Sequence, residues 1–179
     1  MSSTNEVPFD PGVANELRAL VGEYLEGVRE GRGLRVAIAC SRFNGAVTTR
    51  LLVSALDTLI AAGVDRSDIS VAWVPGAFEL PLLALAYADG DRPYDAVLAL
   101  GAVIRGDTSH FEIVAGECAR GIQDVQLSTR VPVAFGVLTT ENVQQALDRS
   151  GPDESNKGRE AALTALEMVS ILRQGSIAS

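Results

Sequence analysis

His110 is the only histidine in this chain. It lies in a stretch rich in Gly, Asp, Thr and Ser: Gly101-Ala102-Val103-Ile104-Arg105-Gly106-Asp107-Thr108-Ser109-His110-Phe111-Glu112. A turn of this composition between an apolar strand and a helix presents backbone N–H groups without intrahelical partners, together with the positive end of the helix dipole. Such a place attracts anions. An imidazole beside it can give or take a proton there. The chemistry suggested is proton transfer on a phosphorylated molecule; a helix cap with an incidental histidine is the structural alternative.

Three further polar turns follow apolar runs: Ser41-Arg42-Phe43-Asn44, Pro75-Gly76-Ala77-Phe78-Glu79-Leu80-Pro81, and Gly136-Val137-Leu138-Thr139-Thr140-Glu141-Asn142. Phe43 stands among polar neighbours, where a large ring either stacks on a flat ligand or plugs the edge of the fold. The N–H groups at Ala77 and Phe78 can bind a polar ligand edge, and Glu79 can accept from ring or hydroxyl donors. Glu79 equally suits an ordinary first helical turn. Arg105 and Arg149 can each hold a phosphate in a bidentate fork or lie solvated at the surface. Lys157, in Asn156-Lys157-Gly158, opens a helix where a cation opposes the dipole, which points to an anionic neighbour or a polar ligand.

Several chemistries lack their residues. No GxxxxGK[ST] or GxSxG motif occurs, and Gly31-Arg32-Gly33 precedes a strand rather than following one. One histidine and two distant cysteines, Cys40 and Cys118, form neither a metal-ligand set nor a CxxC pair. What remains is metal-free chemistry on a small phosphorylated molecule. A net charge of -8 argues against a nucleic-acid or acidic-membrane surface. No apolar stretch approaches the roughly 18 to 20 residues of a membrane span, and no basic-then-apolar leader opens the chain. The expected location is cytoplasmic.

These residues need a scaffold, and 179 residues suffice for one domain. With 47% hydrophobic but only 5% aromatic residues, small aliphatics must fill the core. Residues 1–12, with Pro8, Pro11 and Gly12, read as a flexible arm. Leu17, Leu20, Val21, Tyr24, Leu25 and Val28 recur at spacings of three and four and predict an N-terminal helical extension over 13–33. Residues 34–40, 69–74, 96–100 and 131–137 read as strands. Residues 47–62, 77–87, 109–127, 141–149 and 156–172 read as helices. Apolar strands alternating with amphipathic helices predict a parallel sheet covered on both faces. The four turns after the strands should then meet in one cleft beyond the strands' carboxyl ends.

In order along the chain, Ser41-Arg42-Phe43-Asn44, residues 75–81, residues 101–112, Ala134-Phe135-Gly136-Val137-Leu138-Thr139-Thr140 and Asn156-Lys157-Gly158 resemble the lumazine synthase family. The resemblance covers residues 34–173. It implies an α/β fold, a flavodoxin-like three-layer sandwich with a four-stranded parallel sheet, as a single domain over 34–179. It implies condensation of 5-amino-6-(D-ribitylamino)uracil with 3,4-dihydroxy-2-butanone 4-phosphate to 6,7-dimethyl-8-ribityllumazine, phosphate and water, the penultimate step of riboflavin biosynthesis. No metal or organic cofactor is implied.

By motif position, Phe43 would stack on the pyrimidine, and Ala77, Phe78 and Glu79 would hold the ribityl chain. Ala102, Val103 and Ile104 would line the ring. Asp107, Thr108 and Arg149 would seat the phosphate, His110 would transfer protons, and Phe135 and Lys157 would complete the pocket. The resemblance also implies a homo-oligomer with shared active sites: a pentamer, assembled further into an icosahedral shell, with riboflavin synthase as a candidate partner. The turn Ser150-Gly151-Pro152-Asp153-Glu154-Ser155 has the length found in shell-forming members; a free pentamer is the other arrangement.

Two features depart from the family pattern. The residues before Leu34 read as helix where members exchange a short strand. Asp107 is an acid beside a phosphate seat, which predicts that its carboxylate caps the helix instead. The competing function is a non-catalytic flavin- or lumazine-binding protein or a shell-forming scaffold, against which stand His110, Arg149 and Lys157.

Overall fold

The computed structural model describes residues 9–174. Strands β1 (Val36–Ser41), β2 (Ile69–Val74), β3 (Ala96–Ile104) and β4 (Val133–Thr140) form one parallel sheet in the order β2-β1-β3-β4. The central strands are buried on both faces: every residue of β1 and all of β3 but Ile104. That is why they read as unbroken apolar runs. The edge strand β4 instead exposes Phe135 and Thr139 between buried neighbours.

Helices α2 (Gly45–Ala61) and α6 (Lys157–Leu172) cover one face, where Leu51, Leu59 and Leu166 pack with Ile38, Leu98 and Leu100. Helices α3 (Leu80–Ala88) and α4 (His110–Thr129) cover the other, where Leu80 and Ile122 pack with Ala37, Ala39 and Val97. A short α5 (Val143–Asp148) leads into α6. This is the flavodoxin-like three-layer sandwich expected from the sequence. The contact between α2 and α6 is so close that a Cβ on Gly158 would lie 2.0 Å from the Leu51 carbonyl oxygen. Only glycine fits there.

Three elements differ from expectation, β4 by running to Thr140 where a turn was expected from Gly136. The third strand does not stop at Leu100 but runs to Ile104, pairing Gly101 with Val137 and Ile104 with Thr140. Gly101 is therefore not a turn residue. A Cβ there would meet Leu80 Cδ1 at 3.1 Å and Val137 Cγ1 at 3.3 Å, so the glycine relieves packing inside the sheet.

The helix expected over 13–33 is only α1 (Pro11–Arg18), opened by Asp10, whose carboxylate accepts from the N–H groups of Gly12 and Val13 at 2.8 and 3.4 Å. Residues 23–31 have no regular structure. Arg18 pairs with Glu26 and lies 4.9 Å from the Tyr24 ring, which folds the chain back. The backbone then binds α6: Val28 N–H donates to Ser170 Oγ at 3.0 Å, and Arg29 pairs with Glu167 at 2.8 Å. The apolar stripe is real, but Val13, Leu17, Leu20, Val21 and Val28 stay exposed, so packing on this chain gives no reason to extend the helix. Of the expected arm, residues 1–8 lie outside the described residues, and Pro11 and Gly12 belong to α1.

Cys40 and Cys118 are both fully buried, and burial pushes each thiol pKa up to about 12. No helix among the described residues is long and apolar enough to cross a membrane.

Candidate active site

The turns after β1 and β2 are joined by their main chains. Arg42 N–H donates to the Val74 carbonyl at 2.9 Å and Phe43 N–H to that of Pro75 at 3.1 Å. The next residue, Asn44, adopts a left-handed conformation (φ 58°), which asparagine tolerates better than most side chains. Its Nδ2 donates to the Ala102 carbonyl at 2.8 Å. Phe43 is thereby displayed with 69% of its surface exposed, not tucked into the sheet edge.

After β2, a short 3-10 turn, Ala77–Glu79, leads into α3. Glu79 Oε2 accepts from the Gly76 N–H at 2.9 Å, closing its own turn. One carboxylate oxygen thus does structural work while the other has no protein partner among the described residues. Phe78 is more than half exposed beside it.

Beyond β3, the exposed residues 105–109 lead into α4, whose first residue is His110. Ser109 occupies the N-cap position without a side-chain bond, and Thr108 Oγ1 accepts only a long 3.5 Å contact from the His110 N–H. The free N–H groups at this helix start retain their capacity for an anion. The expected capping by Asp107 is not found. Ser109 already holds the cap position, and the exposed Asp107 carboxylate makes no bond to the helix.

Phe43, Ala77, Phe78, Glu79, Ala102, Val103, Ile104, Thr108 and His110 line a single cleft of about 460 Å³. Phe135, Arg149 and Lys157 line a different groove of about 270 Å³, along β4 and the start of α6. No residue lines both. The sequence placed all four turns around one hollow; on this chain three meet and the fourth does not, because residues 136–140 continue β4 instead of turning. In the second groove Lys157 Nζ is held by both oxygens of Glu160, at 2.7 and 2.6 Å, whereas the Arg149 guanidinium has no protein partner among the described residues.

Arg105 is not free to bind a phosphate. Its guanidinium pairs with Glu112, donates from Nε to Glu141 at 2.6 Å, and lies 4.2 Å from the Phe111 ring centroid. The hydrogen bond from Arg105 holds the Glu112 carboxyl below the usual carboxylate range. Asn44, Glu112 and Glu141 are structural supports to which the sequence reading gave no role. The asparagine before a helix was the one available signal, since that residue type favours left-handed turns.

The family model described as 6,7-dimethyl-8-ribityllumazine synthase matches residues 33–173. The chain is 57% identical over 150 residues to the 6,7-dimethyl-8-ribityllumazine synthase of Edwardsiella ictaluri (strain 93-146), a match covering 83% of this chain and 96% of that protein. It is 53% identical, with the same coverage, to the proteins of that name from Yersinia pestis (strain Pestoides F) and Yersinia pseudotuberculosis serotype O:1b (strain IP 31758). Helix α1 lies outside the matched region. The motifs at the strand ends, the four-stranded parallel sheet and these matches agree: the chain belongs to the 6,7-dimethyl-8-ribityllumazine synthase family.

Proposed function

We propose that the protein condenses 5-amino-6-(D-ribitylamino)uracil with 3,4-dihydroxy-2-butanone 4-phosphate, in a site built from the cleft of one chain and the β4 groove of a neighbour. The products are 6,7-dimethyl-8-ribityllumazine, phosphate and water, and the reaction is the penultimate step of riboflavin biosynthesis. Phe43 stacks on the pyrimidine, Ala77, Phe78 and Glu79 hold the ribityl chain, and Ala102, Val103 and Ile104 line the ring. Asp107 and Thr108 lie at the phosphate seat, which Arg149 of the neighbour completes along with its Phe135 and Lys157.

The chemistry is redox-neutral. The pyrimidine 5-amine attacks the ketone carbon to give a carbinolamine, which loses water to form an imine. Removal of a carbon-bound proton expels phosphate, and the enol so formed returns to a ketone. The ribityl-bearing amine closes on that carbonyl and a second water leaves. Each step moves a proton, and His110 is the side chain in the cleft suited to carry it in both directions. Neither a metal nor an organic cofactor is required by these steps.

One observation carries this reading: Phe43, Glu79 and His110, far apart in sequence, share a cleft. The turn that lines this cleft at Gly106 and Thr108 carries the acid Asp107 between them, and Arg105 is already taken by Glu112 and Glu141. A phosphate seated there needs a cation from elsewhere, and the unpartnered Arg149 supplies one from a second copy. We further propose, as the family resemblance implies, a homo-oligomer with shared active sites: a pentamer that assembles into an icosahedral shell and acts in the cytoplasm, with riboflavin synthase as a candidate partner. Mixing the purified assembly with both substrates should yield lumazine fluorescence. Absence of product, with both substrates bound, would instead favour the binding or scaffold role. Light scattering separates a shell from a free pentamer.

A further inference from the structure

We infer that Arg105 is a positioning residue for His110, acting through its bridge between Glu112 and Glu141; this rests on the catalytic reading above. The turn over 106–109 is exposed throughout, and among the described residues its one side-chain hydrogen bond is the 3.5 Å contact at Thr108. Arg105 closes that turn from outside. Its backbone N–H donates to the Thr140 carbonyl at 2.9 Å, anchoring it to β4. Its side chain then grips Glu141 just past β4 and Glu112 in the first turn of α4, while its guanidinium lies over Phe111. His110 is the residue immediately before Phe111 and two before Glu112. The grip thus fixes the first turn of α4, which begins at His110, against the end of β4.

A planar guanidinium can satisfy two carboxylates and a ring in one geometry, which an ammonium cannot. The three charged side chains are all more than a third exposed, so water screens their attraction and little global stability depends on it. What depends on it is where His110 and Thr108 stand relative to Phe43 and Glu79. An electrostatic role alone predicts the opposite for one variant: removing the Glu141 charge should help a phosphate substrate, whereas loosening the grip should slow the reaction.

The test is steady-state kinetics on the full-length assembly carrying Arg105→Met, Arg105→Lys or Glu141→Gln, each with His110 intact and with His110→Asn. Arg105→Met should lower kcat about 10- to 100-fold when His110 is present, with a smaller change in KM for the pyrimidine, because small misplacements of a catalytic group are that costly. In the His110→Asn background the same change should cost about threefold or less, as expected for coupled residues. Arg105→Lys should recover part of the loss, and Glu141→Gln should slow the enzyme without lowering its thermal midpoint appreciably. Equal losses in both backgrounds, or a faster Glu141→Gln enzyme, would overturn the inference while leaving the site intact. A kcat unaffected by His110→Asn alone would overturn the catalytic reading and this inference with it.

Discussion

The side-chain amide of Asn44 donates to the carbonyl of Ala102 across 2.8 Å, tying the turn that displays Phe43 to the strand that leads to His110. Asn44 does this from a left-handed backbone conformation. Asn44→Ala removes both the bond and the side chain's tolerance of that conformation. The expected loss of stability is about 1 to 2 kcal/mol, read by chemical denaturation. KM for the pyrimidine should rise more than kcat falls. Asn44→Gly should restore the backbone part of the stability but not the KM, because glycine accepts the backbone angle without holding Ala102.

His110→Asn keeps the shape of the side chain and removes its proton chemistry. General acid–base catalysis accounts for about 10²- to 10⁴-fold in rate, whereas alignment of two substrates contributes more. The variant should therefore retain turnover measurable above the uncatalysed mixture. If turnover vanished entirely while both substrates bound with native affinity, alignment would be the lesser contribution.

Chains carrying His110→Asn and chains carrying Arg149→Ala should each be poorly active alone. Because the cleft and the β4 groove share no residue on one chain, co-assembly of the two should restore activity. At equal amounts and random mixing about a quarter of the sites in a ring combine two intact halves. Refolding or co-expressing the pair and assaying lumazine formation checks this. No recovery, despite mixed assemblies seen by mass spectrometry, would place both halves on the same chain.

Glu112 makes the Arg105 grip pH-dependent in a defined direction. Its folded-state pKa is depressed by the hydrogen bond from Arg105, so its contribution is present above the unfolded value near ~4.3 and is lost as pH falls through the lower folded value. The grip should stay closed throughout the neutral and weakly acidic range. Carboxyl carbon shifts in an NMR titration should give Glu112 a midpoint below that of exposed glutamates, and Arg105→Met should return it upward. A native midpoint in the ordinary range would show the pair to be open in solution.

The strands and helices were legible because β1 and β3 are buried on both faces and so leave an unbroken apolar signature. Gly101 was misread because a glycine after an apolar run normally signals a turn, while here it answers crowding by Leu80 and Val137. The stripe from Leu17 to Val28 has helical spacing, but an ion pair and a hydrogen bond to α6 and the fold-back at Tyr24 set the path of residues 23–31, and periodicity carries no trace of them. The stretch around His110 was singled out by its composition and its place between an apolar run and a helix. That Phe135, Arg149 and Lys157 lie in another groove was not, because contiguity in a motif list says nothing about which surface of the chain each motif reaches. Asp107 was misassigned as a cap for a local reason: Ser109 occupies that position instead.

Cys40 and Cys118 are the only thiols in the chain, and each is enclosed and held in its protonated form at neutral pH. Alkylating reagents require an accessible thiolate, so the native chain offers them no ready target. A cysteine introduced at an exposed position would thus be the sole point of attachment, and a fluorophore or spin probe could be placed there without first removing the natural residues.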